Sequence, residues 1–202
     1  MLAVDGTNLL RYGSNAPRMH ELVWLDPANI KQCNTAFMSG QSGRVRDGEW
    51  DRELTKPLMA SVKIRACILH WRDGIPWEET GVYDHVMQMI CTSGGRFDNC
   101  VSMDDVIARY QGMDRLFEEV KREGRLRTRR EVSEGTFREK QGIVVHFDRR
   151  GAALFAHRGS HRLAIAIVLG FETIPAQVGV VHLAAIHAWR RSLQPAKPGS
   201  RP

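Results

Sequence analysis

The sequence predicts an α+β fold, a small mixed sheet with helices packed on it. Three observations predict it. Short apolar runs bounded by turn residues lie near both ends of the chain, helical periodicity fills the middle, and a strand, turn, helix, strand succession follows residue 150. In order, residues 21–26 ("ELVWLD") predict a strand, and Pro27 suits the first position of a short helical turn. Residues 37–53, with Gly40, Gly43 and Gly48 among polar side chains, predict an irregular loop. Residues 56–71 place Leu58, Val62, Ile64, Ile68 and Leu69 near one helical face, and residues 77–91 predict a second helix despite Gly81. Ser102 and Asp105 form a capping signal for a third helix, and residues 113–124 predict a fourth, stopped by Gly124. "GIVVHF" (142–147) and "AALFAH" (152–157), joined by "DRRG", predict a β-hairpin. A short apolar helix over 160–170, a strand over 173–182 with Pro175 near its start, and a helix over 183–193 complete the plan.

The 202 residues suit a single domain, 1–202, and bury a real core. A hydrophobic share of 43% with 26% charged residues argues against wholesale disorder. The net charge of +6 favours phosphorylated or polyanionic partners. Cys33, Cys67, Cys91 and Cys100 lack the spacing of zinc ligands or of a C-x-x-C pair, so free thiols in a reducing cytoplasm are expected. No secretory apolar region opens the chain, and no run of about 18 apolar residues predicts a membrane span. Residues 194–202, rich in Pro, Gly and basic side chains, predict a frayed tail.

The densest chemistry lies in "AHRGSHRLAIAIVLGFETIPA" (156–176), a strand, a tight turn and a helix mouth. The first N–H groups of a helix lack internal partners and carry partial positive charge, so an anion is stabilised there. Gly159 admits close backbone approach, and Ser160 can cap the helix or donate to a phosphate oxygen. Arg162 offers a planar fork, and His161 a donor whose charge follows pH. Gly159, Ser160, His161 and Arg162 are therefore candidate phosphate-binding residues.

At these residues "GSHRLAIAIVLGFETIPAQV" resembles the signature of the ParB/sulfiredoxin-like superfamily. That signature is a Gly-x-His-Arg turn, an Ala-rich helix, Leu-Gly, then Ile-Pro and a strand. "WLDPANI" (24–30) and "LFEEVKREG" (116–124) resemble its opening strand-turn and one further helix. The resemblance spans the opening segment and roughly residues 113–182, and it sets residues 37–112 apart as a helical insertion. It implies a nucleotide, ATP, ADP or CTP with Mg²⁺, at the 159–162 turn, and a phosphotransfer or nucleotide-hydrolysis activity. Departures narrow it. Sulfiredoxins carry a nucleophilic cysteine where this chain has Ser160, and a serine hydroxyl does not form the needed thiolate. The Glu-Asn-x-x-Arg helix and helix-turn-helix of the partition proteins have no match after the Ile-Pro strand, so a CTP-driven DNA clamp is not expected. Free-serine kinases carry a similar Gly-His-His-Arg turn, but their catalytic carboxylate is missing from "KQCNTAF" (31–37). A general base must then come from elsewhere, with Asp26 and His161 the catalytic candidates and Asp47, Glu49 and Asp51 further acids.

The alternative expectation is a DNA-associated protein without catalysis. Residues 121–131 carry Arg125, Arg127, Arg129 and Arg130 beside Lys121 and Arg122, a run able to contact a phosphate backbone. It lacks interleaved aromatic residues. The eight histidines show no metal-ligand spacing, so no metal site is expected.

Overall fold

The computed structural model describes residues 2–37 and 41–193. The tail 194–202 and Gly40 of the predicted loop lie outside the described residues. The fold is α+β, with seven strands in one mixed sheet among the described residues.

Strand β7 (Ile174–His182) organises that sheet. All nine of its residues are buried, as a strand covered on both faces requires. Along one edge it pairs antiparallel with β1 (Leu22–Leu25), and farther on parallel with β3 (Arg44–Arg46). Along its other edge it pairs parallel with β5 (Ile143–Phe147). The sheet continues from β5 through β6 (Ala153–Phe155) and β2 (Gln32–Asn34) to β4 (Thr55–Pro57). The predicted hairpin is therefore β5–β6, antiparallel with Val145 opposite Phe155.

Helices α3 (Val62–Asp73), α4 (Val82–Thr92), α5 (Met103–Glu123) and α7 (Ser160–Val168) build the main core with one face of the sheet. Ile64, Cys67 and Ile68 of α3 meet Leu163 and Ile165 of α7 there, with Ile143, Val145 and Phe147 beneath them. The alternate residues of β5, Val144 and His146, point the other way. On that face Trp50, Leu154 and Val180 form a smaller cluster with Ala36 and Phe37. Helix α5 starts at the predicted cap, where Ser102 accepts from the Asp105 N–H and Asp105 accepts from the Ser102 N–H. It ends at Gly124 with φ +69°. The two helices predicted over 102–124 are thus one.

The structure departs from the sequence reading elsewhere too. Residues 2–12 form helix α1 (Leu2–Tyr12), which the polar and glycine-containing "LAVDGTNLLRY" does not announce. The predicted loop contains β3 and the short helix α2 (Trp50–Glu53), and the predicted helix start at 56 belongs to β4. The stretch set apart as a helical insertion thus also supplies two strands to the sheet. The expected last helix is a pair of 3-10 turns, Leu183–Ala185 and Trp189–Ser192. Tertiary contacts account for this last difference: the Trp189 indole donates to the Asn15 carbonyl, and Arg190 pairs with Glu21. A further short helix, α6 (Arg129–Val132), follows α5. No helix among the described residues is long and apolar enough to cross a membrane.

Candidate functional site

The turn before α7 is held against β5. The Ala156 N–H donates to the Val144 carbonyl and the Val144 N–H to the Arg158 carbonyl, at 2.9 and 3.1 Å. Gly159 then takes φ +82°, and a Cβ there would lie 2.9 Å from Ile143 Cα. Conformation and space both demand glycine. Gly159 is the N-cap, and no side chain caps the helix. Ser160 is the first helical residue and is buried, so the expected capping role passes to the glycine backbone. The N–H groups of Ser160, His161 and Arg162 have no carbonyl a turn earlier to donate to.

These groups open on a cavity of about 680 Å³. Lys63 of α3, Arg109 of α5, Arg158 and Arg162 line it, against a single lining carboxylate, Asp98. Lys63 Nζ lies 2.6 Å from Asp98, and Arg109 donates to both carboxylate oxygens at 2.9 and 3.1 Å. Burial works against the charged carboxyl, yet Lys63 and Arg109 hold Asp98 below the usual carboxylate range. Backbone strain gathers here as well. Six non-glycine residues among those described have positive φ, and four of them, Asp98, Asn99, Gln141 and His157, line this cavity. Such conformations persist where the surroundings over-determine them, and they cluster at binding sites.

His161 points its Nε2 toward the Tyr110 hydroxyl at 3.5 Å, with the rings edge to face. Burial first, and the Lys63 charge second, push its pKa down to about 4, so it is uncharged at neutral pH. Arg162 is not the free fork its sequence position suggests. Its Nη2 donates to the Arg127 carbonyl, and its Nη1 lies 3.9 Å from the fully buried Glu139 carboxylate. Glu139 accepts in turn from the Arg129 N–H at 2.8 Å. Arg162 thus ties residues 127–139 to α7, with Nη1 left without a hydrogen-bond partner among the described residues, beside the cavity.

The other expected site residues lie apart from this cavity's lining. Asp26 caps the turn Pro27–Asn29, accepting from the Ala28 N–H at 2.8 Å and the Asn29 amide at 3.1 Å. That geometry gives it a local structural role. Asp51 is locked to Arg149, and Glu49 pairs with Arg52 and Arg149. Asp47 lies 3.9 Å from His182. The basic run is largely neutralised by its own acids: Arg125 pairs with Glu131 at 2.8 Å, and Arg127 with Glu123. Arg129 is half-buried, and Arg130 is exposed.

No family model, curated protein or solved structure matches the chain.

The sequence reading missed Lys63, Asp98, Asn99, Arg109 and Arg158 as parts of one site. Arg158 was the most accessible of these, standing one residue before the Gly159 turn. The Asp98–Asn99 pair following Gly94–Gly95 is a second signal, since Asp and Asn tolerate left-handed backbone. Lys63 and Arg109 carry no local mark. Only the packing of α3 and α5 around α7 brings them to the turn.

Proposed function

We propose that this chain is a divergent ParB/sulfiredoxin-like protein that binds the phosphate groups of a nucleotide at the 159–162 turn. The observation that carries the reading is the cavity over the uncapped α7 N-terminus, lined by four cations and one carboxylate. Phosphate oxygens would accept from the N–H groups of Ser160, His161 and Arg162, while Lys63, Arg109 and Arg158 supply charge. Arg162 acts mainly by positioning, through its hold on residues 127–139. Lys63, Asp98, Asn99 and Arg109 come from the 37–112 stretch, which thereby walls the site and would select the second substrate.

The same geometry supports phosphotransfer or nucleotide hydrolysis. An uncharged His161 with its ring at the cavity is able to accept a proton from an attacking hydroxyl or water. Asp98 takes that role less well, because Lys63 and Arg109 occupy both its oxygens. For the same reason the lining residues do not fit a protein-held Mg²⁺, which needs a carboxylate free to coordinate it. A cytoplasmic setting accords with this reading.

Thermal unfolding with ATP, ADP, CTP, inorganic tripolyphosphate and a short DNA duplex tests it. A nucleotide at 100 times its dissociation constant stabilises by about 2.7 kcal/mol. No shift with any nucleotide or polyphosphate refutes the reading. A shift with DNA alone transfers the function to the DNA-associated alternative.

A further inference from the structure

We propose that a second cavity, beside His146, takes the uncharged heterocyclic end of the ligand whose phosphates occupy the 159–162 turn. The inference deepens the phosphate reading and rests on it only for the identity of the ligand's other end.

The cavity has a volume of about 310 Å³, at the lower end of the range for small-molecule sites. Phe37, Val144 and Ala156 give it apolar walls, and its buried polar groups are His146 and Ser42, whose hydroxyl already accepts from the His20 N–H and donates to the Val178 carbonyl. His157 and Arg158 line both this cavity and the phosphate cavity, so the two lie on either side of one turn.

His146 is held in place by an irregularity of the sheet. Between the pairs Val145–Val178 and Phe147–Val181, β7 carries one residue more than β5. At that bulge the Val180 N–H donates to His146 Nδ1 at 2.9 Å, so the imidazole stands in for a backbone carbonyl. A Cβ on Gly179 would collide with the same nitrogen, which makes glycine the residue that admits the ring. With Nδ1 accepting, a neutral ring carries its proton on Nε2. That N–H is buried, His146 being only 2% exposed, and has no partner among the described residues. Around it stand Phe37 and Trp50, edge to face at 5.6 and 5.9 Å, whose ring faces are weak acceptors. The Trp50 indole N–H in the neighbouring cluster is likewise buried without a partner among the described residues. Buried donors left open are rare and costly, and an acceptor atom on a flat apolar ligand would satisfy that of His146. Arg158 at the rim disfavours a cationic ligand. A nucleobase, planar and neutral with ring-nitrogen and carbonyl acceptors, has the matching chemistry.

The test compares tripolyphosphate, ATP, CTP, adenosine and cytidine by calorimetry, and follows the His146 ring nitrogens of the wild-type protein by NMR. The expected result is that one nucleotide binds about tenfold or more tightly than tripolyphosphate, a gain the size of one well-placed buried hydrogen bond with some apolar burial. The matching nucleoside moves the His146 Nε2 resonance. His146→Phe removes the advantage of the nucleotide while leaving tripolyphosphate affinity unchanged. If that variant does not fold, the resonance shift in the wild-type protein decides alone. Equal binding of nucleotide and tripolyphosphate with no movement at His146 overturns this inference and leaves the phosphate reading standing. Nucleoside binding at His146 without polyphosphate binding supports this site and removes the phosphate reading. Binding of none of the probes overturns both.

Discussion

Asp51 and Asp98 are both carboxylates gripped by an arginine, and the two clusters serve different ends. Asp51 is closed. Its side chain is 2% exposed and accepts from the Arg149 N–H, Nε and Nη2 at 3.0, 2.9 and 2.7 Å, while Arg149 also donates to the Gly48 carbonyl. Those bonds to Arg149, against the cost of burial, hold its carboxyl at about 2. Donors and acceptors are matched, and the pair staples the 47–53 loop to the β5–β6 turn. Asp98 is open. Two cations share it, two more arginines stand nearby, and the cavity between them meets bare N–H groups at the end of α7. The difference teaches that an ion pair in itself marks no site. Positive charge left over beside unpartnered donors does.

That contrast can be broken by experiment, and the largest effect belongs to the closed cluster. Asp51→Ala removes the acceptor of three charge-assisted hydrogen bonds and should cost about 2–4 kcal/mol of stability. Urea denaturation measures it, and tripolyphosphate affinity should stay within about twofold, since the cavity is untouched. A matching loss of affinity would contradict the independence of the two clusters.

Gly159→Ala comes next. The φ of +82° and the approach to Ile143 predict a loss of about 1–3 kcal/mol together with weaker polyphosphate binding. Unchanged stability and binding would show that the turn is not held as described.

Arg158→Glu reverses an exposed charge at the cavity. Its melting temperature should move little, because surface substitutions fall within about 0.5 kcal/mol, while tripolyphosphate affinity drops tenfold or more. Calorimetry at low and at physiological salt separates the two effects.

The last expected effect is on pH dependence. Burial lowers the His146 pKa from 6.5 to about 4. Between those values the unfolded chain binds a proton that the folded chain refuses, so stability falls as pH drops through that window and is fully present above it. Melting temperatures at pH 7 and pH 5 should diverge more in the wild-type protein than in His146→Phe.

How much of this was legible in the sequence follows from the range of the forces involved. The Ser102–Asp105 cap, the Gly124 stop, the β5–β6 hairpin and the Gly159 turn are local, and each was readable from a few neighbouring residues. Strands β2, β3 and β4 were not. Their "QCN", "RVR" and "TKP" are too short for an alternating pattern to stand out and become strands because β6, β7 and β2 offer them edges. The site divides in the same way. Its floor, residues 159–162, stood in one motif, whereas Lys63, Asp98 and Arg109 meet only once α3, α5 and the turn between α4 and α5 have packed. Asp26, a catalytic candidate in the sequence, caps the Pro27–Asn29 turn in the fold, and a capping carboxylate and a catalytic one look alike until their hydrogen-bond partners are known.

The most direct test of the central claim is a calorimetric titration of tripolyphosphate into the wild-type protein, repeated with Lys63→Ala/Arg109→Ala. Saturable binding to the wild type that weakens at least tenfold in the double variant is the predicted result. The absence of binding, or binding that the double variant leaves unchanged, would contradict the claim that the cationic cavity at the head of α7 is a phosphate site.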